Sequence, residues 1–187
     1  MLNLQVVIVS TRPGRVGLPV GEWFHQHALR HGRFAVERID LAALNLPLFD
    51  EPKHPRLQQY THSHTQAWSA TVARADAFAF VTPEYNYGAP PSLVNALDYL
   101  VHEWAYKPVG FVSYGGLSGG TRAVQMAKQI VTALKMMPIP EGVAFPFFTQ
   151  RIDPAGTFAA TEEHRKGADL MLDELLKWAE ALRPLRS

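Results

Sequence analysis

The chain has 187 residues, 47% of them hydrophobic, with 18 lysines and arginines against 17 aspartates and glutamates for a net charge of +1. That length buries one sizeable core and is short for two, so a single domain over residues 1–187 is expected, and the near balance of charge removes the basic field that nucleic-acid binding draws on. With no cysteine, disulfides, thiolate catalysis, iron–sulfur clusters and cysteine-ligated zinc are excluded together, and redox chemistry would have to come from a bound cofactor.

The opening MLNLQVVIVS lacks a basic start and a cleavage site, and no apolar run approaches the ~20 residues that span a bilayer. No membrane insertion and a cytoplasmic location are expected. Leu4 to Val9 predicts the first strand. The loop after it, STRPGRVG from Ser10, joins the hydroxyls of Ser10 and Thr11 to Arg12 and Arg15, with Gly14 and Gly17 just before a helix. Amides at a helix start favour an anion, and arginine offers phosphate a planar fork. The same residues also suit a capped strand-to-helix turn with solvated arginines. The dinucleotide pattern GxGxxG is absent, since the glycines at 14, 17 and 21 contain no GxG pair, and so is the lysine-containing P-loop.

Phe34 to Ile39 predicts the second strand, followed by Asp40, whose common role there is a strand-end cap. The stretch LNLPLFDEPKHPR, with three prolines, predicts a surface loop. His54, His62 and His64 fall near one another, and HSH resembles half a metal site. They sit in a polar segment with no carboxylate pair to complete a set, so a solvated loop and no metal are expected.

Ala77 to Val81 predicts the third strand, leading into TPEYNYGAPP from Thr82. Pro83 fixes a backbone angle, Tyr85 and Tyr87 supply flat faces, and Gly88 permits close approach or a positive φ. Such a loop suits a planar ring, or a stiff turn whose tyrosines pack on the protein itself. On the helix that follows, Leu93, Leu97, Leu100 and Trp104 share a face that covers the sheet, while Asn95, Asp98, Tyr99 and His102 are expected to point away.

Pro108 to Ser113 predicts the fourth strand, and the loop SYGGLSGGTR from Ser113 carries paired glycines. These expose backbone amides and carbonyls at a strand end, or form a flexible connection. Val124, Ala127, Val131 and Leu134 mark one helical stripe, and Ala168, Leu172, Leu175, Ala179 and Leu182 another. Between them Val143 to Phe148 predicts the fifth strand. Thr161 with Glu162 and Glu163 supplies an N-cap and acidic first turn for the last helix, and Pro184 lies beyond its end. Most of the strands show little alternation, as strands buried on both faces do, which predicts a parallel sheet wrapped by helices. In such sheets ligands bind beyond the carboxyl ends of the strands, where the winding reverses, and this singles out the loops after strands one, three and four.

STRPGR after the first strand, TPEYN with the later NALDYL after the third, and the glycine-rich loop after the fourth together resemble the NADPH-dependent FMN reductase family over nearly the whole chain. The resemblance implies an α/β, flavodoxin-like three-layer sandwich: a five-stranded parallel sheet of order 2-1-3-4-5 with helices on both faces. It implies FMN as cofactor and NADPH or NADH as co-substrate, with a quinone, azo compound, free flavin or similar small molecule as acceptor. A homodimer or homotetramer is implied as well. Carried over by position, Ser10, Thr11, Arg12, Arg15, Val16 and Gly17 would hold the flavin phosphate, Pro83, Glu84, Tyr85 and Asn86 would line the ring, and Ser113, Gly115 and Gly116 would meet its other edge. No catalytic side chain is required, because the flavin carries the chemistry. Departures from the family are Val94, where lysine is frequent, and Pro91, where glycine or alanine is frequent. The alternative is an FMN-binding electron-transfer module of flavodoxin type without its own nicotinamide oxidation, against which the net charge of +1 speaks, since flavodoxins are typically strongly acidic. A nicotinamide enzyme of Rossmann type without flavin is disfavoured by the missing GxG.

Overall fold

A computed structural model describes residues 1–186. The five apolar runs form β1 (Leu2–Ile8), β2 (Phe34–Asp40), β3 (Ala77–Pro83), β4 (Pro108–Gly115) and β5 (Met137–Pro146), all parallel, in the order β2-β1-β3-β4-β5. Between and after them run α1 (Leu18–His31), α2 (Leu41–Leu44), α3 (Ser63–Ala73), α4 (Pro91–Asp98), α5 (Thr121–Ala133) and α6 (Glu162–Leu182). From β1 the chain first winds outward to β2, then crosses back to β3 on the other side. The winding therefore reverses between β1 and β3, and that is where such sheets open a crevice.

Alternation of side chains sorts the strand residues into two layers. Leu4, Val6, Ala79 and Val81 pack under α1 and α6 with Phe24, Met171, Leu172 and Leu175. Val7, Phe78 and Phe80 pack on the opposite face with Trp68 of α3, Leu93 and Leu97 of α4, Ala127 and Val131 of α5, and Trp104. Each fully buried leucine or phenylalanine contributes ~1.5–3 kcal/mol, so these two layers supply most of the driving force for folding. β3 is buried along its whole length, whereas of the edge strands β5 alternates and β2 is buried only at Phe34 and Ile39, one on each face. The last helix starts as expected: Thr161 accepts the His164 amide while His164 Nδ1 takes the Thr161 amide, a capping box.

Four expectations are corrected. β5 begins six residues before Val143, because Pro138, Pro140 and Gly142 read as a turn; they are tolerated in an edge strand whose register shifts between Val109 and Phe111. Tyr99 does not point away: it is buried, and its hydroxyl donates to the Pro47 carbonyl and Asp50 Oδ1, each at 3.1 Å. His62 and His64 do not lie in a loop but cap and open α3, with the two rings stacked and His64 Nε2 2.9 Å from Asp50 Oδ1. Within the expected surface loop, Glu51 is buried and clasps the Thr61 and His62 amides at 2.9 and 3.0 Å. Burial pushes its carboxyl up, but those donors outweigh it and hold the pKa at about 2.

Candidate functional site

A cavity of about 360 Å³ opens at the carboxyl ends of β1, β3 and β4. Ser10, Arg12, Arg15, Val16 and Gly17 line it from the first loop, Pro83, Glu84 and Tyr85 from the second, and Gly115 and Gly116 from the third. Three other residues singled out in the sequence lie elsewhere. Thr11 lines a neighbouring groove with Leu41, Ser92 and Asn95. Ser113 is buried in β4 and lines a recess beside α5 with Lys128 and Glu141, because adjacent strand residues leave on opposite faces and Tyr114 takes the cavity side. Asn86 sits in the turn beyond Tyr85.

The first loop separates the two arginines. Arg15 donates from both terminal nitrogens to Asp40, at 2.6 and 2.5 Å, and to the Ser10 carbonyl at 2.7 Å. Burial opposes ionisation of Asp40, but the hydrogen bonds from Arg15 and the Ala42 amide outweigh it and keep the carboxyl below its usual range. Asp40 thus caps α2, as expected of its place, and also neutralises Arg15. Arg12 is exposed and uses only its carbonyl, which takes the Arg15 amide at 3.1 Å; its guanidinium has no ion-pair partner among the described residues. Beside it α1 starts at Gly17 with no side-chain cap and no acidic residue in its first turn; Pro19 has no amide proton and the Val20 and Gly21 amides go to the Gly17 carbonyl at 3.1 and 3.4 Å, which leaves the Leu18 amide and the positive end of the helix dipole for an anion.

The second loop is stiffer than its composition required. Tyr85 and Gly88 exchange backbone hydrogen bonds of 3.0 and 2.9 Å, and both residues between them have positive φ, 49° at Asn86 and 70° at Tyr87. That is a two-residue turn of type I′. The expected positive φ therefore falls on Asn86 and Tyr87 rather than Gly88, where a Cβ would come 3.2 Å from Met126 Sδ. The Tyr85 hydroxyl bridges back to Ser10 Oγ at 3.2 Å. Glu84 does not present its carboxylate to the cavity: it accepts from Ser118 Oγ at 2.8 Å, Arg122 Nε at 2.6 Å and the Arg122 amide at 3.1 Å. It thereby caps α5, whose own N-cap, Gly120, has no side chain to do so. Burial raises the Glu84 pKa and these donors lower it further, leaving the carboxyl below its usual range. The Arg122 guanidinium in turn covers the exposed Tyr87 ring, 3.7 Å from its centroid.

In the third loop the glycines hold a defined turn. Gly119 and Gly120 have φ of 61° and 86°, and a Cβ on Gly120 would lie 2.8 Å from the Tyr114 nitrogen, so glycine is required on both counts. Tyr114 lies across Gly17, where a Cβ would come within 2.2 Å of the ring. Its buried hydroxyl lies beside Ser10 and makes no hydrogen bond of good geometry among the described residues. Burial pushes its phenol well above the ordinary value.

Sequence reasoning missed Tyr114, Phe147, Phe148 and Thr149, which also line the cavity. The signal was present: PFFTQ follows the fifth strand at the same carboxyl edge, but reading that strand through Phe148 hid it. Together the cavity has the start of α1 and a guanidinium without an ion-pair partner among the described residues at one end and an aromatic wall at the other. Among the described residues no histidine lines it, and the one carboxylate that does, Glu84, is committed to α5.

The family model for NADPH-dependent FMN reductase matches residues 2–150. An NAD(P)H-dependent FMN reductase from Schizosaccharomyces pombe is 40% identical over 163 residues, covering 83% of this chain and 81% of its own. A second NAD(P)H-dependent FMN reductase, from Nectria sp, is 35% identical over 153 residues, covering 79% and 76%. Among solved structures, a flavoenzyme NAD(P)H:(acceptor) oxidoreductase from Paracoccus denitrificans superposes with a TM-score of 0.74 at 19% identity, over 97% of this chain and 98% of that one.

Proposed function

The chain belongs to the NADPH-dependent FMN reductase family, and from that premise we propose that the cavity at the ends of β1, β3 and β4 seats the FMN with which it oxidises NAD(P)H. Bound FMN supplies the passage of a hydride equivalent from the nicotinamide to a second acceptor. Residues 1–187 act as one flavodoxin-like FMN-binding domain in this reading. The start of α1 and the Arg12 guanidinium would hold the dianionic phosphate, and Arg15, clamped to Asp40, holds the loop in the shape that presents them. Ser10 and the Tyr114 hydroxyl are polar groups left to meet it. Pro83 and Tyr85 wall the ring on one side, Gly115 and Gly116 allow close backbone approach on the other, and Glu84 fixes both loops to α5.

The observation that carries this reading is an arginine without an ionic partner among the described residues, set beside the start of α1 in a cavity at the switch point of the sheet. The acceptor class is quinones, azo compounds or free flavin. The test is the absorption spectrum of the purified protein reconstituted with FMN, then bleached with NADPH and separately with NADH. A bound, bleachable flavin is the expected result, and a colourless protein after reconstitution overturns the reading.

Assembly as a homodimer or homotetramer belongs to the same reading, and the exposed Leu44, Leu48 and Phe49 near α4 support it as an apolar patch of the kind that interfaces cover. Sedimentation at micromolar concentration tests it, a monomeric mass being the contrary result. No helix among the described residues is long and apolar enough to cross a membrane, which is compatible with the cytoplasmic location proposed.

A further inference from the structure

Phe147 directly follows β5 and has a φ of 48°, in the left-handed region that bulky side chains rarely occupy. Glycine or asparagine would take that turn with less strain. The turn has a geometric effect. In extended chain, consecutive side chains leave on opposite faces, but here Phe147 and Phe148 line the same cavity. Phe148 is the inner ring, half-buried against Tyr114 at 4.8 Å between centroids. Phe147 is the outer one, 48% exposed, and it makes no ring–ring contact among the described residues.

The turn is held from both sides. The Phe147 amide donates to the Gly116 carbonyl at 3.1 Å, and its own carbonyl accepts from Gln150 at 3.0 Å. Beneath it, Gly119 packs so tightly that a Cβ would lie 2.9 Å from the Pro146 nitrogen. A strained backbone, braced by two loops, thus sets an unpartnered apolar ring at the mouth of the cavity.

Resting on the reading of this cavity as the FMN seat, we propose that Phe147 is a specificity-determining residue for the electron acceptor. Its outer face receives a flat aromatic acceptor of the quinone class and selects it over compact, non-planar acceptors such as ferricyanide. A quinone takes the hydride equivalent of NAD(P)H plus one proton from solvent and leaves as hydroquinone. Ferricyanide takes the same two electrons as two ions, each reduced by one, and a proton is released. Phe147 touches the flat face alone and enters neither bond making nor bond breaking.

The test compares the FMN-loaded wild type with Phe147→Asn, which keeps a residue suited to the left-handed turn, and Phe147→Leu, which keeps apolar bulk without a flat face. The expected result is that the ratio of kcat/KM for a naphthoquinone to that for ferricyanide falls about tenfold in Phe147→Asn, mainly through the quinone KM, and less in Phe147→Leu. Without FMN, the Tm of Phe147→Asn equals or exceeds that of the wild type, since the strain leaves with the ring. An unmoved ratio in Phe147→Asn overturns the inference. So does a rise in the FMN Kd, by fluorescence titration, as large as the rise in quinone KM, which would place the ring in the cofactor's own seat. A Tm several degrees lower with the ratio kept would make the ring a structural plug, and also overturns it. A wild-type protein that takes up no FMN overturns the reading of the cavity together with this inference, whereas intact FMN binding with an unmoved ratio overturns this inference alone.

Discussion

At the amino end of the sheet, Asp76 accepts the Asn3 amide at 2.8 Å, returns its own amide to the Asn3 carbonyl at 2.8 Å, and pairs with Arg186 at 2.9 Å. Nearby, buried Lys107 donates to the Val72 and Ala73 carbonyls at 2.8 and 3.1 Å, closing the end of α3. At the carboxyl end the backbone is no looser: Asn86, Tyr87, Phe147, Gly119 and Gly120 all hold positive φ. Yet there α1 starts uncapped, Arg12 is unpaired and the Tyr114 hydroxyl has no partner. One end ties most of its charged groups to one another, with Arg186 Nε and Glu103 Oε2 left over; the other combines a rigid backbone with a guanidinium and a hydroxyl left open at a cavity. Stiff backbone with unspent donors is the arrangement a preorganised ligand seat needs.

The sharpest way to break that contrast is Gly120→Ala. A side chain there meets the Tyr114 nitrogen and an unfavourable φ at once, so a loss of about 3 kcal/mol and roughly 10 °C in Tm is expected. A neutral result by thermal melting would mean the carboxyl-end loops are soft after all.

Next comes Lys107 at the closed end. Burial brings its pKa from 10.5 down to about 8, so between pH 8 and 10 the unfolded chain binds the extra proton and stability rises with pH, by about 2 kcal/mol. Above pH 10 the trend reverses. Burial raises the phenols of Tyr60, Tyr99 and Tyr114 in the fold, so the unfolded state loses those protons first and stability falls. Denaturant titrations across pH 7 to 11 should show this maximum in the wild type. In Lys107→Met the rise from pH 8 to 10 should vanish while the alkaline fall and the FMN affinity persist.

The two arginines divide the contrast within one loop. Arg12→Ala should raise the FMN Kd about tenfold, the loss of one charge-assisted contact, with the Tm of the FMN-free protein unchanged. Arg15→Ala should weaken FMN binding and also lower that Tm, because Asp40 is left part-buried without its partner. Equal behaviour of the two variants in calorimetry and fluorescence titration would erase the distinction drawn from their geometry.

Tyr114→Phe gives the smallest effect and the most direct reading. Removing a buried hydroxyl with no partner should leave the FMN-free protein as stable or up to about 1 kcal/mol more so. FMN affinity should fall a few-fold. If stability drops instead, the hydroxyl serves the protein itself.

The layered α/β sheet was legible because the apolar runs from Leu4, Phe34, Ala77 and Pro108 are compact and continuous, as doubly buried strands must be. β5 was legible only in part, since an edge strand tolerates Pro138 and Pro140 and so loses the usual signature. Ten cavity residues could be found from three loops because switch-point geometry names the loops in advance. What could not be read was partnership. Nothing in STRPGR says that Arg15 belongs to Asp40 and Arg12 does not, and nothing in PEYN says that Glu84 turns back to Ser118 and Arg122. Those choices are made by packing between elements far apart in sequence. The outward expectation for Tyr99 failed for the same reason: the loop carrying Pro47 and Asp50 folds over that face of α4.

The commitment of Glu84 also bears on where protons come from. With its carboxylate buried against α5 and no histidine among the described residues that line the cavity, the enclosure offers a reduced acceptor neither a carboxylic acid nor an imidazolium, and its tyrosine phenols have to be refilled from solvent. Each proton that ends on a hydroquinone is therefore drawn in the end from water at the open mouth. Turnover with quinones should then respond to heavy water, while ferricyanide, which needs no proton, runs alongside as an internal control.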